Sequence, residues 1–183
     1  MQERDNPEYI GSFHLSAFSM INLKNILKGK IVILCLGNPD RGDDGIGPRV
    51  ASEIKKKVTY EVINAGVTPE NYTGVIKRLD PDTILIVDTV IFDGEPGEIR
   101  LFTGDDLRTG KISTHDVSPK LLIEYLKSST KADIHILGIN PKSNKFGEAL
   151  SSEAEEAVEK LKALLLSSQN DNVLLYQNRN VLF

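Results

Sequence analysis

Two uninterrupted apolar runs constrain the fold more than any other feature of the chain: Lys30 to Leu36 (Lys-Ile-Val-Ile-Leu-Cys-Leu) and Thr83 to Val87 (Thr-Ile-Leu-Ile-Val). A strand with one wet face alternates polar and apolar residues. Runs without that alternation belong to strands covered on both sides, as in a parallel sheet between two helix layers. Between and after these runs the period changes to that of helices. Ile46, Val50 and Ile54 recur at helical spacing and end in Lys55 to Lys57, charges suited to a helix C-terminus. Tyr60 to Ile63 reads as a second strand. Thr68-Pro69-Glu70 then supplies an N-cap and a proline at the first position of a helix over Pro69 to Leu79.

Beyond the second apolar run, which ends in Asp88, Gly94-Glu-Pro-Gly97 marks a turn, and Glu98 to Thr103 alternates like a half-exposed edge strand. Ser118-Pro119 opens a helix with Leu121, Leu122, Tyr125 and Leu126 as its apolar face, and Asp133 to Ile139 is another strand. Ser152 with Glu155 forms a capping box opening a long helix along Ala154, Val158, Leu161 and Leu165. The alternation predicts an α/β protein: a three-layer α-β-α sandwich around a mostly parallel twisted sheet with one antiparallel edge strand. Residues 30–168 are expected to form a single domain. Residues 1–29 read as an N-terminal extension with a possible helix over Phe18 to Leu27. Ser167 to Asn172 reads as a linker into a tail, the last segment spanning residues 169–183.

Composition narrows the function. A net charge of −4 and no basic stripe argue against a nucleic-acid surface. No run approaches the roughly 20 apolar residues that cross a bilayer. Met1 to Met20 lacks the apolar core of a secretory signal, so a cytoplasmic protein with no membrane association is expected. One cysteine, Cys35, sits inside the first apolar run, which excludes an internal disulfide and suits a buried small hydrophobe. No Gly-x-Ser-x-Gly elbow, His-Glu-x-x-His helix or Gly-x-x-x-x-Gly-Lys loop is present, which removes the usual serine hydrolases, zincins and P-loop enzymes.

The chemistry concentrates in the turn after the first strand, Gly37-Asn38-Pro-Asp-Arg-Gly42-Asp43-Asp44-Gly45-Ile-Gly47. A glycine-rich turn entering a helix would ordinarily cradle an anion, but two carboxylates inside it repel phosphate and favour a cation. Asp43 is expected to cap the following helix. In an open parallel sheet, ligands bind beyond the carboxyl ends of the strands, where Asp44 and Asp88 both fall. His115, on the loop before a helix, adds an imidazole. Two carboxylates and one imidazole make a three-ligand site with open positions, suited to zinc, nickel or a similar divalent ion. Structural roles compete for each: Asp44 as a favourable charge in a first helical turn, Asp88 as an acceptor for nearby loop amides. His14 and His135 are not candidates; His135 is expected to be a hydrogen-bonded structural residue within its strand.

At these positions the chain resembles the hydrogenase maturation endopeptidases, which trim the C-terminus of the large subunit of nickel-iron hydrogenases. The resemblance spans about Lys30 to Leu165 and rests on Gly37-Asn38 with Asp43-Asp44-Gly45-Ile-Gly47, Ile-Val-Asp88, Pro-Gly97-Glu98-Ile and Ser113-Thr114-His115. Ala65-Gly66 with Pro69-Glu70-Asn71, and Gly138-Ile-Asn-Pro141, look most similar to the enzymes serving formate-hydrogenlyase and membrane-bound energy-converting hydrogenases. The resemblance implies a phosphorylase/hydrolase-like fold and a protease without a covalent nucleophile. Asp44, Asp88 and His115 would be both its metal-binding and its catalytically required residues. Its partner would be the large-subunit precursor, and its cofactor nickel presented by that precursor, with none necessarily held by the isolated protein. Two routes to cleavage are compatible with the set: nickel polarising the scissile carbonyl, and a carboxylate activating water as general base. The chain departs from the family pattern at Asn64, where an aspartate is expected in many relatives. Competing readings are a non-cleaving nickel-dependent assembly chaperone and, through the Leu-Gly-Asn-Pro opening, a peptidyl-tRNA hydrolase-like enzyme. The histidine-asparagine pair of that family is missing from this chain after the turn.

Overall fold

The computed structural model describes residues 21–103, 106 and 118–179, the last stretch with side chains over 120–169. Strands β1 (Ile31–Leu36), β2 (Glu61–Gly66), β3 (Thr83–Thr89), β4 (Ile99–Thr103) and β5 (Asp133–Ile139) form one sheet in the order β2-β1-β3-β5-β4. Four strands run parallel, and β4 pairs antiparallel with β5 at the edge, as the sequence predicted. Helices α1 (Ile46–Ile54), α2 (Thr73–Leu79), α3 (Ser118–Ser129) and α4 (Ser152–Arg179) cover the two faces.

The period-two geometry of the strands explains the unbroken apolar runs. In β1, Ile33 and Cys35 face one way, into a core shared with Ile46, Val50 and Ile54 of α1 and Val158, Leu161 and Leu165 of α4. Val32, Leu34 and Leu36 face the other, against Ile76 of α2 and Leu122, Ile123 and Leu126 of α3. Ile84 and Ile86 join the second face while Leu85 and Val87 join the first. Each fully buried aliphatic chain contributes about 2 kcal/mol, so both faces must be apolar for the sheet to be covered twice.

Several boundaries and faces differ from the sequence reading, each for a local reason. On α3 the buried residues are Leu122, Ile123 and Leu126, whereas Leu121 and Tyr125 are 60% and 47% exposed. Apolar side chains occupy two adjoining strips of that helix, and the sheet beneath selects the strip containing Ile123. Residues 69–72 wind as a tighter 3-10 turn before α2, and the Thr68 side chain makes no cap hydrogen bond. The Phe18 to Leu27 helix, where described, is a 3-10 turn over Leu23–Asn25; the Asn22 side chain caps it, and Leu23 and Leu27 are buried in the core. Contacts of the core therefore begin ahead of residue 30. The polar run Ser167 to Asn172 is not a linker: it contains no glycine or proline, and α4 propagates through it to Arg179. Gln169 fastens that extension to the end of α1, accepting from the Thr59 N–H at 2.9 Å and donating to the Lys57 carbonyl at 2.9 Å.

Candidate active site

The connection from β1 to β2 leaves toward one side of the sheet and β3 lies on the other, so the β1/β3 boundary is the topological switch point where open α/β sheets hold ligands. Asp44 follows β1. Asp88 lies one residue inside β3 rather than ending it, because the strand continues to Thr89 by pairing with Ile139. The two strands are direct neighbours, with Cys35 opposite Val87.

The turn that carries Asp44 needs backbone conformations few residues supply. Gly37 has φ 122°, its N–H donates to the Gly66 carbonyl at 3.1 Å, and a Cβ there would collide with the Asp44 carbonyl oxygen. The chain can fold back only because that side chain is missing. The Asn38 N–H then donates to Asp44 Oδ2 at 2.8 Å, and the Thr89 hydroxyl donates to Asp44 Oδ1 at 2.9 Å. Each carboxylate oxygen of Asp44 thus carries one donor. The backbone N–H of the same Thr89 donates to Asp88 Oδ1 at 2.8 Å. Asp88 is 7% exposed, and Thr89 is buried with it. One residue therefore links the two carboxylates. Asp88 does bond a neighbouring amide, as its structural reading held, and the residue that supplies it also bonds Asp44.

Asp43 departs from expectation. Neither the 3-10 turn Gly42–Gly45 nor α1 has a side-chain cap. Asp43 is instead 1% exposed and accepts four hydrogen bonds from the loop after β5: Lys142 N–H at 2.7 Å, Ser143 N–H at 3.3 Å, Ser151 N–H at 2.7 Å and Ser151 Oγ at 3.0 Å. That loop is clamped to the acidic turn, and the Gly42 N–H adds a bond to the Glu148 carbonyl at 3.0 Å. Ser151, held in this way, caps α4 by accepting from the Ala154 N–H at 3.1 Å. The expected Ser152 and Glu155 capping box is thus displaced by one residue, with Ser152 Oγ bonding Glu153 instead.

Asn140, just after β5, ties the segment from Gly94 to Glu98 to the sheet. Its side-chain N–H group donates to the Gly94 carbonyl at 2.6 Å, and its backbone exchanges bonds with Gly97 and Glu98. Sequence reasoning missed Thr89 and the anchoring roles of Asp43 and Asn140. Their partners lie 45 to 108 positions away along the chain, where no local pattern reaches.

The electrostatics are uneven. Burial first, and then the Asp88 charge, push the Cys35 thiol up to about 12, so it is neither nucleophile nor ready ligand at neutral pH. His135 sits mid-strand in β5, opposite Leu85, and its Nδ1 has no hydrogen-bond partner among the described residues, contrary to the hydrogen-bonded role expected of it. Burial holds it below the usual histidine range. His115 and His14 lie outside the described residues, so of the expected trio the structure shows Asp44 and Asp88, each bonded to Thr89. Two anionic oxygen donors at a crevice suit a divalent cation that brings further ligands of its own. Among the described residues, Asp44 and Asp88 gain no third His, Cys, Asp or Glu to complete a metal cluster.

This arrangement is that of an α/β domain with a mostly parallel five-stranded sheet, in which Asp44 follows β1 and Asp88 lies near the end of the neighbouring β3. The family profile described as hydrogenase maturation protease (HycI) matches residues 46–168. The hydrogenase 3 maturation protease of Escherichia coli is 36% identical over 131 residues, covering 70% of this chain and 83% of that protein. The crystal structure of a nickel-iron hydrogenase maturation protease HycI from Thermococcus kodakarensis superposes with a TM-score of 0.73 at 33% identity, covering 81% of this chain and 98% of that one. The solution structure of the endopeptidase HycI from Escherichia coli gives 0.67 at 33% identity, with 76% and 90% covered. The chain belongs to the hydrogenase maturation protease family, a family of peptide hydrolases.

Proposed function

We propose that this protein removes the C-terminal peptide of a nickel-iron hydrogenase large-subunit precursor after nickel insertion, and that Asp44, Asp88 and His115 recognise the nickel. The observation that carries the reading is the pairing of Asp44 with Asp88 through Thr89 at the switch point of a chain in this family. The nickel belongs to the substrate. Bound by the precursor's thiolates, it offers open positions to carboxylate and imidazole donors, so docking tests whether the metal has been loaded. An empty precursor would bury two carboxylates at its interface without a cation, which disfavours the complex. Hydrolysis without a covalent intermediate fits a site whose one cysteine is buried and protonated. Asp44, Asp88 and His115 would hold that metal, which would supply Lewis acidity to the scissile carbonyl, and the alternative route would have a carboxylate of the pair activate the attacking water. We place the reaction in the cytoplasm. No helix among the described residues is long and apolar enough to cross a membrane.

The test is single replacement. Asp44→Ala, Asp88→Ala and His115→Ala, each incubated with nickel-loaded precursor, are expected to lose cleavage by at least a hundredfold while remaining folded. Undiminished cleavage by any of the three removes that residue from the site.

A further inference from the structure

Thr89 donates to both carboxylates, and it does so from two different atoms. Its hydroxyl has a single proton, given to Asp44 Oδ1 at 2.9 Å, and its backbone N–H goes to Asp88 Oδ1 at 2.8 Å. The side chain is buried at the last position of β3, where pairing with Ile139 fixes the backbone. A β-branched side chain is also stiff at χ1, so the direction of the hydroxyl is set by the strand rather than by solvent.

Asp44 itself stands on a turn, not on the sheet. Its carboxylate has about four lone-pair directions, and two are occupied, one per oxygen, by the Asn38 N–H and the Thr89 hydroxyl. The Asn38 contact comes from the same turn and moves with it. Among the described residues, the Thr89 contact is the one that ties the carboxylate to the rigid sheet that carries Asp88. Without it, Asp44 would keep one donor and regain rotation about its side-chain torsions. Two ligands that must meet one cation need their spacing held within a few tenths of an ångström.

We propose that Thr89 is a positioning residue for the cleavage reaction, its hydroxyl locking the Asp44 carboxylate at a fixed separation from Asp88. This rests on the proposed function, since it assumes that Asp44 and Asp88 meet the substrate's metal. The hydroxyl touches neither substrate nor the scissile bond; it acts through Asp44.

The experiment compares Thr89→Val, which keeps shape and strand preference but removes the hydroxyl, with Thr89→Ser, which keeps the hydroxyl. Both are measured against wild type and Asp44→Ala on nickel-loaded precursor, with rates expressed per folded molecule. Thr89→Val is expected to lower kcat roughly tenfold to a hundredfold, the range for one hydrogen bond to a charged group, with KM for the precursor changed less than about threefold. Thr89→Ser is expected to restore kcat to within about threefold of wild type. A crystal structure of Thr89→Val is expected to show the Asp44 carboxylate turned while Asp88 stays in place. A wild-type kcat in Thr89→Val, a failure of Thr89→Ser to rescue, or an unmoved Asp44 each overturns the inference while leaving the function standing. If wild type does not cleave, or Asp44→Ala cleaves fully, the proposed function falls and this inference falls with it.

Discussion

Replacing Asp43 by asparagine should unfasten the loop after β5 from the acidic turn, although Asp43 itself is no candidate ligand. The carboxylate is buried and accepts four hydrogen bonds, one on Oδ1 from Ser151 N–H and three on Oδ2. An amide has one acceptor oxygen. Its best orientation turns that oxygen toward the three donors and sets its NH2 group against the Ser151 N–H, leaving a buried donor facing a donor. Loss of that bond costs about 2 kcal/mol, and exchanging a charged for a neutral acceptor weakens the other three by about 1 kcal/mol each. The amide is easier to bury than the anion, which offsets part of the loss and brings the net cost to about 3 kcal/mol. For a chain of this size that corresponds to a fall in Tm of roughly 6–12 °C. Thermal unfolding of Asp43→Asn measures the total, and amide hydrogen exchange at Lys142, Ser143 and Ser151 measures the local part, which should speed up well before β1 and β3. A Tm within about 2 °C of wild type, or unchanged exchange at those amides, refutes the anchor.

Three further outcomes follow from the same geometry. The Cys35 thiol, pushed up to about 12 by burial and the Asp88 charge, should resist thiol reagents near pH 8 in the native protein and label at once in denaturant; rapid native labelling contradicts the packing. Lys142, the residue's own backbone N–H and the Ser152 hydroxyl lower Glu153 from 4.5 to about 2, a stabilisation present above the higher value and lost as pH falls through the lower one. Glu153→Gln should therefore flatten the acid limb of the Tm profile between those two values, weakly and less so in high salt, and an unaltered limb counts against the pair. On α3, Leu122→Ala should cost about 2–5 kcal/mol in chemical denaturation and Leu121→Ala under about 0.5 kcal/mol; comparable costs at both would return the helix to the face expected from sequence, which held both.

What the sequence disclosed divides along physical lines. Strands buried on both faces leave a one-dimensional trace, and Asp133 to Ile139 matches β5 end to end. Helix faces leave a weaker trace when two adjoining strips are apolar, as on α3, because only the sheet decides which strip turns inward. Helix ends were displaced where tertiary contacts outcompeted local capping. Ser151 rather than Ser152 caps α4 because Asp43 holds it there. Asp44 and Asp88 were visible because strand ends in an open sheet collect ligands wherever their neighbours lie. Strand order was not visible, and only that order makes β1 and β3 adjacent. Thr89 and the anchoring role of Asp43 gave no local signal, since one threonine or aspartate in a window says nothing of a partner 45 or 108 positions away.

The most direct measurement is the intact mass of a hydrogenase large-subunit precursor before and after mixing with this protein, run in parallel on nickel-loaded and nickel-free precursor. The account predicts loss of a C-terminal peptide from the loaded form alone. A stable complex that keeps its full mass, or equal cleavage of the nickel-free form, would contradict it.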